Sequence, residues 1–299
     1  MEQVLKSYLE YICGVENVAE NIPLSLYTTF KIGGPARFFV TPKTKECFVR
    51  LVSALKFIEQ SFYILGMGAN VLASDRGTNR VVIRPSFREI VDNQCFIYAD
   101  AGASLASLCK AARERNLGGL EWAAGIPATV GGAVFMNAGA HGAEIKNVVA
   151  MVDALYDGKI VTLDNRQLKF EYRKSIFHKH RDWIILGAYF DLSPSDKDSI
   201  FLKEKQFLAA RAITQPNQPS AGSIFKNPTP TFHVGAEIEK LGLKGYQIGG
   251  AQVSPKHANF IINTGNATAA DVLALIKLIR RKIYAKHKIR LQTEIQILE

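Results

Sequence analysis

The sequence predicts an α+β protein of more than one domain. Three observations carry this. Helical and extended hydrophobic stretches both recur along the chain. At 299 residues the chain exceeds one average domain. A proline-rich polar linker, Gln215-Pro216-Asn217-Gln218-Pro219, separates a helical run from a C-terminal α/β tail.

Taken in order, Met1 to Ile12 reads as a short amphipathic helix with no basic region leading into an apolar one, so no secretory signal is visible and a cytoplasmic protein is expected. Residues 36–41 read as a strand ending at Pro42, and Thr44 caps a helix to about Gln60. Phe62–Leu65 is a short strand running into Gly66-Met67-Gly68-Ala69-Asn70-Val71, with a further strand at Arg80–Ile83. Phe96–Ala99 is extended, and Gly102-Ala103-Ser104 opens a helix closed by Gly118-Gly119. Strands follow at Val148–Tyr156, Lys159–Leu163 and Trp183–Leu192. A helix is expected over Asp198–Ala212 with Asp198 as its cap, then helices at Ala236–Leu241 and Ala269–His287. Strands are expected at Asn259–Asn263 and Arg290–Ile297, and Thr268 with Asp271 forms a capping box.

Composition excludes several classes. Hydrophobic content of 47% and charged content of 21% are those of an ordinary globular chain. Cys13, Cys47, Cys95 and Cys109 are scattered, which suggests neither a disulfide framework nor a zinc site. His178 and His180 would share a strand face, but no third ligand accompanies them, so no metal is expected. The net charge of +10 gathers partly in Lys277–Arg290 and Arg166–Arg181. The first cluster reads as a solvated helix face, and neither cluster interleaves aromatics as an RNA-binding sheet would, so a nucleic-acid surface is the lesser reading.

Trp122 to Ala140 is a nineteen-residue stretch without a charge. Gly125, Pro127, Gly131, Gly132 and Gly139 argue against a membrane helix, because freed backbone groups would lack partners in lipid. The segment reads as a buried loop whose backbone closely approaches something, with free amides near Gly131 and Gly132 facing an anion such as phosphate. It reads equally well as a turn-rich core segment with no ligand.

Gly66–Val71 lacks the third glycine, the following helix and the distant acid of a dinucleotide fingerprint, but it suits a second anion loop. Arg173, in F-E-Y-R-K-S-I-F, has the fork that grips a carboxylate or phosphate; beside Glu171 it also reads as a surface arginine. Ser223 has no nucleophile elbow and reads as a turn serine. Glu294 faces away from Leu291, Ile295 and Ile297 on a predicted strand, as a solvated glutamate would. His257 is either a site residue or a satisfied loop histidine.

In order along the chain, T-T-F-K-I-G-G-P-A, L-G-M-G-A-N-V-L, G-I-P-A-T-V-G-G-A-V-F-M-N-A-G-A, Y-R-K-S-I-F, A-G-S-I-F-K-N-P, G-L-K-G-Y-Q-I-G-G-A-Q-V-S-P-K-H-A-N-F and L-Q-T-E-I resemble the UDP-N-acetylenolpyruvoylglucosamine reductase (MurB) family in its type II form. The resemblance spans about Tyr27 to Ile297. It implies a two-lobed FAD-binding fold of the PCMH, or vanillyl-alcohol-oxidase-like, type with a C-terminal α+β substrate domain. The implied division is lobe 1 over 1–85 with strand 290–299 returning to it, lobe 2 over 86–208, and the substrate domain over 209–289.

It further implies an FAD-dependent oxidoreductase using NADPH to make UDP-N-acetylmuramate for peptidoglycan; a monomer is expected. The matched blocks assign Arg173, Ser223 and Glu294 to catalysis: Arg173 and Glu294 stabilise an enolate-like intermediate and Ser223 donates the proton. FAD contacts fall on Gly66, Gly68, Ala69, Asn70, Val71, Gly125, Pro127, Ala128, Thr129, Gly131, Gly132, Asn137, Ala138 and Gly139. Substrate contacts fall on Lys226 and Asn227. The family usually has Ser at Ala69 and Gly at Ala128. Two other readings compete: an oxidase on the same scaffold passing electrons to oxygen, and a flavin-free nucleic-acid-binding protein.

Overall fold

The computed structural model describes residues 2–93 and 96–299; the expectation about Cys95 lies outside these. Contacts group the chain into two compact units. The first comprises Met1–Ala19, Phe38–Gly66 and Arg80–Arg211, and the second comprises Glu20–Arg37, Met67–Asn79 and Ala212–Glu299.

Helices run over Glu2–Cys13 (α1), Lys45–Phe57 (α2), Leu105–Glu114 (α3), Val130–Met136 (α4), Lys197–Thr214 (α5), Val234–Lys240 (α6) and Ala269–His287 (α7). Their starts follow from local chemistry. Thr44, Ser104 and Thr129 each accept a backbone N–H three residues on, covering a donor the helix itself cannot. Thr268 and Asp271 form the reciprocal capping box at α7. At α5 the expected cap is corrected. Asp196, not Asp198, accepts the Ser199 N–H at 2.9 Å, because the helix begins at Lys197.

The first unit centres on a five-stranded antiparallel sheet in the order Lys159–Asp164, Val149–Tyr156, Ile184–Phe190, Phe96–Asp100, Ile90–Asn93. Val152, Ala188 and Phe190 from this sheet pack with Leu105, Leu108, Val130 and Val134. A second cluster joins Leu9 of α1 and Phe48, Leu51 and Leu55 of α2 to Phe38, Val81 and Ile83. Phe62–Ile64 pairs in parallel with Val81–Ile83.

The expectation of an irregular loop from Trp122 to Ala140 is corrected: its middle is α4. Two glycines in the first turn weaken helix propensity, and the Thr129 cap and burial of Val130 and Val134 outweigh them. Residues 176–178 form a 3₁₀ turn rather than a strand, so His178 and His180 share no strand face.

In the second unit, an antiparallel sheet runs in the order Ser220–Ser223, Phe260–Asn263, Ala251–Val253, Gln247–Ile248. α6 and α7 bury Ile238, Val272, Leu275, Ile276, Ile279 and Ile283 with Ala251, Val253 and Ile261. The basic residues of Lys277–Arg290 are exposed, as a solvated helix face.

The last strand is also shorter than expected. It covers only Gln296–Leu298, parallel to Val71–Ala73, a strand the sequence reading missed. Residues before it turn away instead, with Thr293 bridging to Phe225, so Leu291 and Ile295 are buried while Ile297 is exposed. Among the described residues no helix is long and apolar enough to cross a membrane.

Candidate active site

The Gly66–Val71 turn has an asymmetric backbone. Two of its carbonyls are engaged: Gly68 O accepts from Thr29 N–H at 3.2 Å and Asn70 O from Gln296 N–H at 2.8 Å. Among the described residues, the N–H groups of Gly66 to Asn70 meet no protein acceptor. Consecutive unspent amides in a turn form a concavity suited to an anion. Gly68 sits at φ +65°, and a Cβ there would lie 2.3 Å from Tyr27 O, so only glycine fits. The neighbouring Ala69 carries no hydroxyl.

The second expected anion loop differs. Gly131 N–H donates to Ala101 O at 2.9 Å and Gly132 N–H to Thr129 Oγ1 at 3.2 Å. The free amides expected there are therefore corrected; they are spent inside the protein, where Thr129 caps α4. Ala128 O accepts from Leu105 N–H at 2.9 Å, tying Pro127-Ala128 to the start of α3. A Cβ on Gly125 would meet Arg211 Cδ at 2.9 Å.

Asn137, fully buried at φ 44°, closes α4. Its Nδ2 donates to Glu144 Oε2 at 3.1 Å and to Glu171 O at 3.0 Å, and its Oδ1 accepts from Lys146 N–H at 3.0 Å. Ala138 N–H donates to Ala133 O. Arg173 lies beside this asparagine at φ +54°, with Nη2 donating to Gly139 O at 2.9 Å.

Ser223 ends the strand Ser220–Ser223, opposite Phe260, and is half-buried. Next to it Glu294 N–H donates to Ile224 O at 2.7 Å, and Lys226 N–H to Gln292 O at 3.0 Å. Asn70 Nδ2 donates to Glu294 O at 3.1 Å. The second unit therefore brings together Met67–Val71, Ser223 and Glu294, which lie far apart in sequence. Arg173, Asn137 and Gly139 gather in the first unit. Asn227 Oδ1 accepts from Val234 N–H at 3.1 Å, at the start of α6.

Sequence reasoning missed Thr29. Its N–H holds Gly68 and its hydroxyl donates to Ser220 O at 2.7 Å, so one residue braces the amide turn and the serine strand. A threonine beside another threonine carries no local signal for this. Glu144 was likewise missed.

His257 has a partner within its own loop. Its Nδ1 accepts from Asn259 N–H at 3.3 Å, and burial holds the imidazole below its usual value of 6.5. Because the folded state resists protonation, its contribution to stability is present above pH 6.5 and is lost as pH falls below that, through the lowered folded value. His257→Gln is expected to lose less Tm than the parent protein between pH 7.5 and 5; equal losses would contradict this. No group of three or more His, Cys, Asp or Glu among the described residues is arranged to hold a metal.

Residues 36–164 match the FAD binding domain profile, and residues 215–298 match the UDP-N-acetylenolpyruvoylglucosamine reductase C-terminal domain. The UDP-N-acetylenolpyruvoylglucosamine reductase of Pseudothermotoga lettingae is 46% identical over 277 residues, covering 92% of this chain and 95% of that protein. The Bacillus pumilus enzyme of the same name is 41% identical over 302 residues, covering 100% and 99%.

The chain belongs to the UDP-N-acetylenolpyruvoylglucosamine reductase family. The crystal structure of the Thermus caldophilus MurB aligns with a TM-score of 0.82 at 35% identity, covering 94% of this chain and 98% of that one. The fold is thus the family's FAD-binding fold, and the chain is an FAD-dependent oxidoreductase. The unspent amides of Gly66 to Asn70 fit a dinucleotide pyrophosphate, the group a MurB family member must hold.

Proposed function

We propose that the chain uses NADPH to reduce the enolpyruvyl group of UDP-N-acetylglucosamine enolpyruvate, giving UDP-N-acetylmuramate for peptidoglycan. The observation that carries this is the meeting, inside one unit, of the amide turn 67–71 with Ser223 and Glu294. FAD, when bound, supplies the hydride that reaches the terminal carbon of the enolpyruvyl group.

The residues then have separate tasks. The amides of Gly66 to Asn70 hold the pyrophosphate. Thr129 and Gly131-Gly132 do not add free donors; they fix the backbone of the second glycine segment, together with Gly125, Pro127 and Ala128. Arg173 presents its guanidinium to the substrate carboxylate, into which hydride addition drives negative charge. Glu294 adds to that stabilisation by donating or sharing a proton, since an ionised carboxylate would repel the enolate. Ser223 delivers a proton to the carbon next to the carboxylate. Lys226 lowers the cost of the resulting alkoxide, and Asn227 positions the substrate loop.

A visible absorption spectrum tests the reading. Purified protein should be yellow, bleach on anaerobic NADPH, and recover its colour on addition of the enolpyruvyl UDP-sugar. Colourless protein after denaturation, or recovery with air faster than with the UDP-sugar, would overturn it and favour the DNA-binding or the oxidase alternative.

A further inference from the structure

An arginine that must meet a charge formed only during reaction gains from being fixed beforehand. Arg173 is held from behind. Nη2 donates to Gly139 O at 2.9 Å, and Nη1 stands 3.8 Å from Glu144 Oε1. Glu144 is itself held: Oε2 accepts from Asn137 Nδ2 at 3.1 Å and lies 2.9 Å from Lys146 Nζ, while its backbone N–H donates to Asn147 Oδ1 at 2.8 Å.

The second Nδ2 hydrogen of Asn137 goes to Glu171 O, two residues before Arg173. One fully buried asparagine thus ties down the carboxylate behind the guanidinium and the backbone leading to it. That backbone needs holding, because φ +54° is a left-handed conformation that disfavours a non-glycine residue. Arg173, Glu144 and Lys146 together carry a net charge of +1, so the carboxylate aims the fork without cancelling the positive field.

We infer that Glu144 is the positioning residue for Arg173, with Asn137 fixing Glu144 in turn. This rests on the role proposed for Arg173. Glu144 touches neither substrate nor cofactor in this reading; it acts by restricting where the guanidinium points.

The test compares the two half-reactions of the holoenzyme by rapid mixing in Glu144→Gln, Glu144→Ala, Arg173→Ala and the Glu144→Gln/Arg173→Ala pair. Glu144→Gln is nearly isosteric and keeps an acceptor for Asn137, so it carries the test should Glu144→Ala fail to fold; flavin content and Tm check this. The expected result is bleaching by NADPH at the parent rate, with reoxidation by the enolpyruvyl substrate slowed about 10- to 100-fold. The loss should fall on kcat more than on KM. In the Arg173→Ala background the Glu144 change should cost nothing further.

Parent-like reoxidation in both Glu144 variants beside a slow Arg173→Ala overturns the positioning role and leaves the proposed function standing. Losses that add in the double variant, or that slow both halves equally, overturn it as a merely structural effect. Fast reoxidation in Arg173→Ala overturns the proposed role of Arg173 itself, and the inference falls with it.

Discussion

Ser223→Ala should leave the flavin reducible by NADPH at the parent rate while its reoxidation by the enolpyruvyl substrate falls about 10²–10⁴-fold. The asymmetry follows from what the side chain does and does not support. The backbone of Ser223 pairs with Phe260, and the preceding Gly222 supplies the turn at φ +75°; neither depends on the hydroxyl. Alanine therefore preserves the strand and its hydrogen bonds to Phe260.

What is lost is the only proton source assigned to the carbon beside the substrate carboxylate. Bulk water would have to replace it at a half-buried position. Because serine is a weak acid, its neighbours must lower the cost of its alkoxide, and Lys226→Ala should slow the same half-reaction by less. Stopped-flow absorbance resolves the two halves. A variant slow in both, or one that reoxidises normally, removes Ser223 from the chemistry.

The parts of this arrangement written locally were legible in the sequence. Thr44, Ser104 and Thr268 announced their helices because a cap acts within one turn, and α7 has the predicted ends. At α5 the competition was itself local: Asp198 looked like the start, but Asp196, two residues earlier, is placed to accept from Ser199 within the same turn. Elsewhere a tertiary contact overrode the local rule. Glycines in the uncharged segment suggested free amides, yet Ala101 and Thr129 take them.

The last strand was drawn too long because alternation over Leu291, Ile295 and Ile297 resembles a ladder; residues 293 and 294 in fact pair with the Ser223 loop. That detour is what sets Glu294 beside Ser223, and no periodicity encodes an approach between residues so distant in the chain. Their grouping entered the sequence reading only through family resemblance. Thr29, Asn137 and Glu144 show the same limit, since a bracing hydrogen bond leaves no pattern at either end.

The contrast between the two glycine segments yields a second expected result: Gly68→Ala loses FAD, and Gly132→Ala retains it. At Gly68 an alanine pays twice. The φ of +65° disfavours any L side chain by roughly 1–2 kcal/mol, and the added Cβ would lie 2.3 Å from Tyr27 O. Backbone on that side is pinned by Thr29, so the turn itself must move, carrying its unspent amides off target. Each 1.4 kcal/mol is about tenfold in affinity, so FAD should bind at least about tenfold more weakly.

At Gly132 a Cβ meets only Thr129 Oγ1 at 3.3 Å, the residue lies in α4, and its N–H is already spent on the cap. Alanine there gains helix propensity, roughly offsetting a small shift of the threonine. Flavin content on purification and a fluorescence titration of the stripped protein with FAD measure both variants. Full FAD affinity in Gly68→Ala would mean that the pyrophosphate is held elsewhere, whereas loss in Gly132→Ala alone would return the anion site to the segment whose amides are occupied.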